Sequence, residues 1–247
     1  MLNGIFHFMT KTLKILAVIP ARGGSKGVPK KNIKSLGGKP LLAYTVESAK
    51  KSKLIDRLIL SSEDKEIIEI AKKLNLEVPF VRPQELASDQ SGSLEVVQHA
   101  VKFLEQQSDF YNAVLLLQPT SPFRPIEFID QAIKKFLNAD ADALVSVLPI
   151  PHQFNPHWVF EEDVQGFLNL ATGDQNIIKQ RQQLPKAYFR DGSIYLTKTE
   201  VIKQGSFFGK KLSYIESNPD FHVNIDNLAD WGKAEKMVET YNSIRQV

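Results

Sequence analysis

KILAVIPARGGSKG, residues Lys14 to Gly27, decides the architecture. Ile15 to Ile19 is an unbroken apolar run that stops at Pro20. It is too short for a buried helix and lacks the alternation of a half-exposed strand, so it reads as a strand covered on both faces. Arg22-Gly23-Gly24-Ser25-Lys26-Gly27 follows at once. Glycines let a backbone approach an anion closely, and successive N–H groups in such a loop form an anion-binding concavity. Arg22 can grip phosphate oxygens with two parallel hydrogen bonds, and Lys26 adds a point charge. The pattern matches neither GxxxxGK[ST] nor GxGxxG. Read alone, the loop is equally compatible with a solvated basic turn.

Downstream, strand and helix patterns alternate. Pro40–Lys51 has helical spacing, with Leu41, Leu42, Thr45, Val46 and Ala49 on one side. Arg57–Ser62 reads as a strand, Asp64–Leu74 as a helix, and Val78–Arg82 as a third strand. Ser91–Gln107 reads as a helix, Ala113–Gln118 as a strand, Ile126–Asn138 as a helix and Ala143–Leu148 as a strand. Strands alternating with helices of this length predict an α/β fold with an open, doubly wound, mostly parallel sheet of the Rossmann-like kind. Ligands on such sheets bind beyond the carboxyl ends of the strands. Both the glycine-rich loop and Gln118–Arg124 fall at such ends. Asp140-Ala141-Asp142 has the DxD form of many glycosyltransferases, but it precedes its strand and reads as a solvated turn.

The alternation breaks at Pro149. Trp158–Leu170 reads as a hairpin around Gly166, and Ile177–Lys186 is polar and Gln-rich. Gly192–Thr197 and Leu212–Glu216 read as strands, and Leu228–Thr240 as a closing helix. The predicted organisation is an N-terminal extension over residues 1–13 and one domain over 14–247, with a small lobe inserted at about 149–189.

Composition narrows the chemistry. The 247 residues contain no cysteine, which excludes disulfides and thiolate catalysis. The net charge of +3 does not argue for nucleic acid. No apolar run reaches the ~20 residues of a membrane span, and Met1–Thr10 does not read as a signal peptide. A cytoplasmic location is expected. Lys26, Lys30, Lys31, Lys34 and Lys39 crowd one short stretch, which suits a small polyanion.

Further segments make the pattern specific. Ile19–Gly27, with Pro29, Lys31-Asn32 and Gly38-Lys39-Pro40-Leu41, is followed by RPQELA from Arg82, LQPTSP from Leu117, RQQLP from Arg181 and GSIY from Gly192. Together these resemble the acylneuraminate cytidylyltransferases, the CMP-sialic-acid synthetases and their relatives for legionaminic and pseudaminic acids. The likeness runs from about Ile15 to Glu235 and implies transfer of CMP from CTP to a 2-keto-3-deoxy sugar acid, with release of pyrophosphate.

The resemblance also implies roles. Ala21, Arg22, Gly23, Gly24, Ser25, Lys26 and Asn32 would form the nucleotide loop. Arg82 and Ser93 would contact the cytidine. Read locally, Arg82 could instead pair with Glu85 or Asp89, and Ser93 could be a plain helix-start residue. Gln118 would lie beside the sugar and ribose. Arg181 and Gln182 would lie near the sugar and a dimer contact, with the inserted lobe as the homodimer interface. Arg22, Lys31 and Asp226 would carry catalysis. Asn224 and Asp226 would hold Mg²⁺, although the family commonly has two Asp here and this chain has Asn at the first; Asp226 could equally be a helix cap. The rivals are a sister activity on Kdo and a nucleotide-binding regulatory module without catalysis.

Overall fold

The computed structural model describes residues 13–125 and 127–245. Most of the expected N-terminal extension, and Ile126 at the start of one expected helix, lie outside the described residues. β1 (Ile15–Pro20) leads into the glycine-rich loop and the two-residue strands β2 (Ser35–Leu36) and β3 (Lys39–Pro40). Then come α1 (Leu41–Lys51), β4 (Arg57–Ser61), α2 (Lys65–Lys73), α3 (Ser93–Glu105), β5 (Ala113–Leu116), α4 (Phe128–Asn138) and β6 (Ala143–Pro149). β7 (Phe160–Glu162) and β8 (Leu168–Leu170) form a hairpin in the inserted lobe. β9 (Tyr188–Lys198), α5 (Thr199–Lys203), β10 (Leu212–Glu216) and α6 (Leu228–Arg245) complete the chain.

The main sheet has the order β10-β6-β9-β5-β1-β4, and only β9 runs antiparallel to its neighbours. Side chains alternate across a strand, so β1 feeds two cores. Ile15, Ala17 and Ile19 pack with α1, α2 and α4, while Leu16 and Val18 pack with α3 and with Ile202 of α5. That is double winding. α6 adds a third cluster, in which Trp231, Val238 and Tyr241 meet Leu41, Tyr44 and the 221–225 segment. α2 starts where Asp64 accepts a hydrogen bond from Ile67 N at 3.0 Å, an ordinary N-cap.

One expected strand does not form. Residues 78–82 run beside β4, but only Glu77 bridges to Ile59. Pro79 lacks the N–H that a ladder needs. Contact resumes at Arg82, whose N–H donates to Ser62 O at 2.9 Å.

The lobe springs from the paired ends of β6 and β9, where Pro149 opposes Tyr188. It buries few of its own apolar residues. Phe167 is 68% exposed, and Phe154, Phe160 and Leu168 are exposed as well. At the opposite end of β6, Asp142 accepts hydrogen bonds from the backbone of Lys210 and Lys211 and from Lys198 Nζ. Asp142 is thus structural, tying β6, β9 and the approach to β10, while Asp140 stays exposed in the turn.

Candidate active site

Three loops meet beyond the carboxyl ends of β1, β4 and β5. The glycine-rich loop touches the 224–227 segment so closely that a Cβ on Gly27 would lie 1.9 Å from Asp226 O. The same segment is tied to the loop after β5 by a hydrogen bond from Ile225 N to Thr120 O, 2.9 Å. Between the loops lies an open cavity of about 460 Å³. Arg22, Ser25, Lys26, Gly27, Lys31 and Asn32 line it from the loop after β1. Arg82 and Leu86 line it from the segment leading into α3, Ser93 and Val96 from the first turn of α3, and Gln118 and Asp226 join them. The size suits a nucleotide-sized ligand.

Most of the residues singled out in the sequence converge here. Arg22 Nη2 pairs with Asp89 Oδ1 at 2.9 Å, and Nη1 donates to Ser88 O at 2.8 Å. Lys26 Nζ holds the other oxygen of Asp89. The Lys26 hydrogen bond, helped by Arg22, keeps the Asp89 carboxyl below the usual carboxylate range. Lys31 donates to Ile225 O at 2.6 Å and lies 3.7 Å from Asp226 Oδ1. Burial pushes its pKa down, and Asp226 opposes that. Asn32, buried, donates to Arg22 O at 3.0 Å and so fixes the loop. Gln118 Nε2 reaches Ser93 Oγ at 3.4 Å.

Other expected residues stand back from the cavity. Ala21 is buried, with its N–H on Ser61 O. The Gly23 N–H is taken by Glu63 Oε1 at 2.8 Å. Among the described residues, the N–H groups of Gly24, Lys26 and Gly27 have no such partner and are free to meet an anion. Arg181 and Gln182 do not reach this cavity at all. They sit exposed in a short 3-10 turn of the lobe, where Gln182 bonds Gln180 and Arg181 lines a separate cleft with His152 and Glu216. The lobe hangs from β6 and β9, so the chain alone does not bring them to the nucleotide loop.

Asp226 and Asn224 can be tested as cation ligands. Asp226 exposes 64% of its side chain, and Asn224 Nδ2 lies 2.7 Å from its Oδ2. Turned about its last torsion, the Asn224 amide presents a neutral carbonyl oxygen instead. One carboxylate and one amide oxygen fit a hard cation that keeps waters and substrate phosphate oxygens. Among the described residues there is no group of three or more His, Cys, Asp or Glu able to hold an ion without substrate. Asp226 is not a side-chain cap: Asn227 Oδ1 accepts from Ala229 N and Asp230 N, and Asp230 Oδ2 from Asp226 N.

Sequence reasoning missed two supporting residues. Glu63 Oε2 accepts from Arg82 Nη2 at 2.5 Å and from Nε at 3.2 Å, so Arg82 pairs with neither Glu85 nor Asp89. Arg124, fully buried, donates to Ser193 O, to Gln118 O at 2.9 Å and to Thr45 Oγ1 at 3.0 Å. Burial pushes its pKa down to about 10. An arginine set between Phe123 and Pro125 at the end of a proline-rich turn was the available signal. His99 does not line the cavity: it packs on Phe80 and Phe103, and burial lowers its pKa.

A doubly wound sheet with a cationic, glycine-rich loop over its carboxyl edge defines a nucleotide-binding α/β enzyme. The family model described as Cytidylyltransferase matches residues 16–244. The chain is 35% identical over 229 residues to the CMP-N,N'-diacetyllegionaminic acid synthase of Legionella pneumophila, covering 92% of this chain and 97% of that one. It is 34% identical over 220 residues to the pseudaminic acid cytidylyltransferase of Campylobacter jejuni, covering 88% and 93%. A solved CMP:2-keto-3-deoxy-manno-octonic acid synthetase complexed with CTP shares the fold, with a TM-score of 0.69, 12% identity, and coverage of 92% and 99%. The chain belongs to the cytidylyltransferase family and is a nucleotidyltransferase. No helix among the described residues is long and apolar enough to cross a membrane.

Proposed function

We propose that the protein transfers CMP from CTP to a sialic-acid-like nonulosonic acid, of the neuraminic, legionaminic or pseudaminic type, and releases pyrophosphate. The observation that carries this reading is the convergence of Arg22, Lys26, Lys31, Arg82, Ser93 and Asp226 around one cavity. The names of the two sequence relatives, both at about a third identity over nearly their whole length, support the sugar class.

The anomeric hydroxyl of the sugar acid attacks the α-phosphorus. The new P–O bond forms as the bond to the β-phosphate oxygen breaks, and the hydroxyl proton passes to solvent. Such a transfer needs positioning and charge neutralisation more than covalent catalysis. Arg22 and Lys26 offset charge on the phosphates, and the free loop N–H groups add donors. Lys31, held by Ile225 O beside Asp226, places a partly desolvated ammonium near the reacting phosphate. Gln118 orients the ribose or the sugar. Asp226, with Asn224 beside it, would hold Mg²⁺. Bound there, the ion would stabilise charge on the entering and leaving oxygens and lower the pKa of the attacking hydroxyl.

Arg181 and Gln182 enter this reading through assembly. The exposed Phe154, Phe160, Phe167 and Leu168 make the lobe the natural face of a homodimer. In that dimer the lobe of one protomer would bring Arg181 and Gln182 towards the sugar end of its partner's cavity. Sedimentation at micromolar concentration tests this: a dimer is expected, and a monomer overturns it. Because the reaction consumes CTP, we place it in the cytoplasm.

The decisive assay measures pyrophosphate released from CTP and Mg²⁺ with a panel of sugar acids. Turnover with a nonulosonic acid well above that with Kdo is expected. A preference for Kdo would move the enzyme to the sister activity, and CTP binding without turnover on any acid would leave a regulatory module.

A further inference from the structure

We infer that Glu63 is a positioning residue that sets the choice of cytosine over uracil by fixing which edge of Arg82 faces the cavity. The inference rests on the cytidine reading of the site and deepens it.

Arg82 lines the cavity, yet its side chain is only 3% exposed, and Glu63 beside it is 10% exposed. A guanidinium has five N–H donors in a rigid plane and cannot rotate one edge without moving the other. Glu63 Oε2 takes Nε at 3.2 Å and Nη2 at 2.5 Å, which uses the side edge of the plane. Among the described residues Nη1 has no hydrogen-bond partner. What remains for a ligand is the end of the fork, the Nη1 hydrogens and the second hydrogen of Nη2. Leu86, and Val96 of α3, line the cavity on this side and offer apolar surface to a flat ring.

That fork is donor-only. Cytosine presents O2 and N3 side by side, and both accept. Uracil presents O2 beside N3–H, so one arm of the fork would face another donor. Adenine offers no two adjacent acceptors, and guanine offers its O6/N7 pair only on a larger, two-ring outline. Discrimination therefore depends on the fork being held end-on, and Glu63 is what holds it.

The second oxygen of Glu63 goes elsewhere. Oε1 accepts from Gly23 N at 2.8 Å, in the nucleotide loop. One carboxylate thus joins the residue that would read the base to the loop that would hold the phosphates. It does so from behind, since it does not line the cavity. Gln in its place keeps the shape but has one acceptor oxygen and no charge: it gives up Arg82 or Gly23, and an oxygen that stays on Arg82 holds the guanidinium without the charge-assisted bond.

The test is calorimetric binding of CTP and of UTP to the full-length protein, for wild type, E63Q, R82Q and E63Q/R82Q. Wild type should favour CTP. In E63Q the CTP:UTP affinity ratio should fall by about tenfold or more, the scale of one charge-assisted hydrogen bond. In the R82Q background, E63Q should leave the ratio unchanged, because Glu63 acts through Arg82. A merely structural role for Glu63 would weaken both nucleotides together and leave the ratio alone. If E63Q keeps the wild-type ratio, or lowers it further in the R82Q background, the inference is overturned. If E63Q does not fold, the neutral pair E63Q/R82Q, which buries no lone charge, carries the comparison with R82Q. Wild type binding both nucleotides equally would instead overturn the cytidine reading itself.

Discussion

Replacing Gly27 by alanine should disable the enzyme through geometry alone. A Cβ at this position would sit 1.9 Å from Asp226 O and 3.1 Å from Asp226 C. An ordinary carbon–oxygen contact is about 3.4 Å or more, so the two backbones must separate by about 1.5 Å. Neither side gives way freely. Ile225 is fully buried and its N–H is held by Thr120 O. Asp226 N is held by Asp230. The glycine-rich loop must therefore absorb most of the shift, and Lys31 moves relative to Asp226 and Ile225 O. A misplacement of about 1 Å near the chemistry costs on the order of 10²-fold in rate. Gly27 is exposed, so the loss of stability should stay near the low end of the about 1–3 kcal/mol for overpacking. The assay pairs kcat/KM for CTP with a thermal melt. Expected are a drop of about 10²-fold in kcat/KM and a fall of about 2–4 °C in Tm. Gly24→Ala, whose Cβ meets nothing within 4 Å, should leave Tm unchanged. Gly27→Ala with a rate within threefold of wild type would refute the reasoning, because the close approach would then be absent from the working enzyme.

Asp226→Asn should lower the rate by about 10²–10³-fold, the scale of one preorganised charge stabiliser. Asn224→Asp should be tolerated and shift half-maximal rate to lower Mg²⁺; near-parental turnover of Asp226→Asn across a Mg²⁺ titration would place the ligand elsewhere. Asp89→Asn should tighten CTP binding about twofold to fivefold, because it frees Arg22 and Lys26 from an exposed ion pair of modest strength. Weaker binding by calorimetry would mean that Asp89 organises those cations rather than competing for them. Gly232→Ala, in α6 with nothing within 4 Å of the new Cβ, should raise stability by about 0.5–1 kcal/mol. A melt that shows destabilisation would contradict the helical geometry there.

Local pattern carried much of this fold. β10 falls on the expected Leu212–Glu216, β1 where the apolar run begins and stops, and the lobe hairpin turns at Gly166, whose φ is +87°. Neighbours in space were not legible in the same way. β9 slips antiparallel between β5 and β6, and periodicity shows that a strand exists without showing its partners. The same limit governs the site. The glycine-rich loop was legible from its own chemistry, whereas Arg82, Ser93 and Gln118 were singled out through the resemblance of the segments around them. Glu63 was not, since an acid just after a strand has no signature, and its meaning comes from Arg82, 19 residues on. Arg82 was matched to Glu85 or Asp89 because sequence offers nearby acids first. In space, the end of β4 brings Glu63 between Arg82 and Gly23, and Asp89 is left to meet Arg22 and Lys26.

That exchange of partners has a consequence for binding. Several cations converge on a small volume, and each has an internal partner in the ligand-free chain: Arg22 and Lys26 share Asp89, and Lys31 rests on Ile225 O beside Asp226. Unpaired, such like charges would repel and open the loop. Paired, they hold near the positions a triphosphate needs, so little ordering remains to be done when it arrives. Binding then swaps one anion for another, and the net affinity is smaller than the count of cations suggests. Catalysis gains from the same arrangement, because only interactions stronger in the transition state accelerate the reaction. Asp89 is on the accessible side of this exchange, exposed on a loop before α3, while Glu63 is largely covered and stands behind the cavity on Arg82 and Gly23. The protein thus uses one carboxylate that can yield to substrate and another that cannot. The first tunes how tightly the phosphates are held, and the second which base accompanies them.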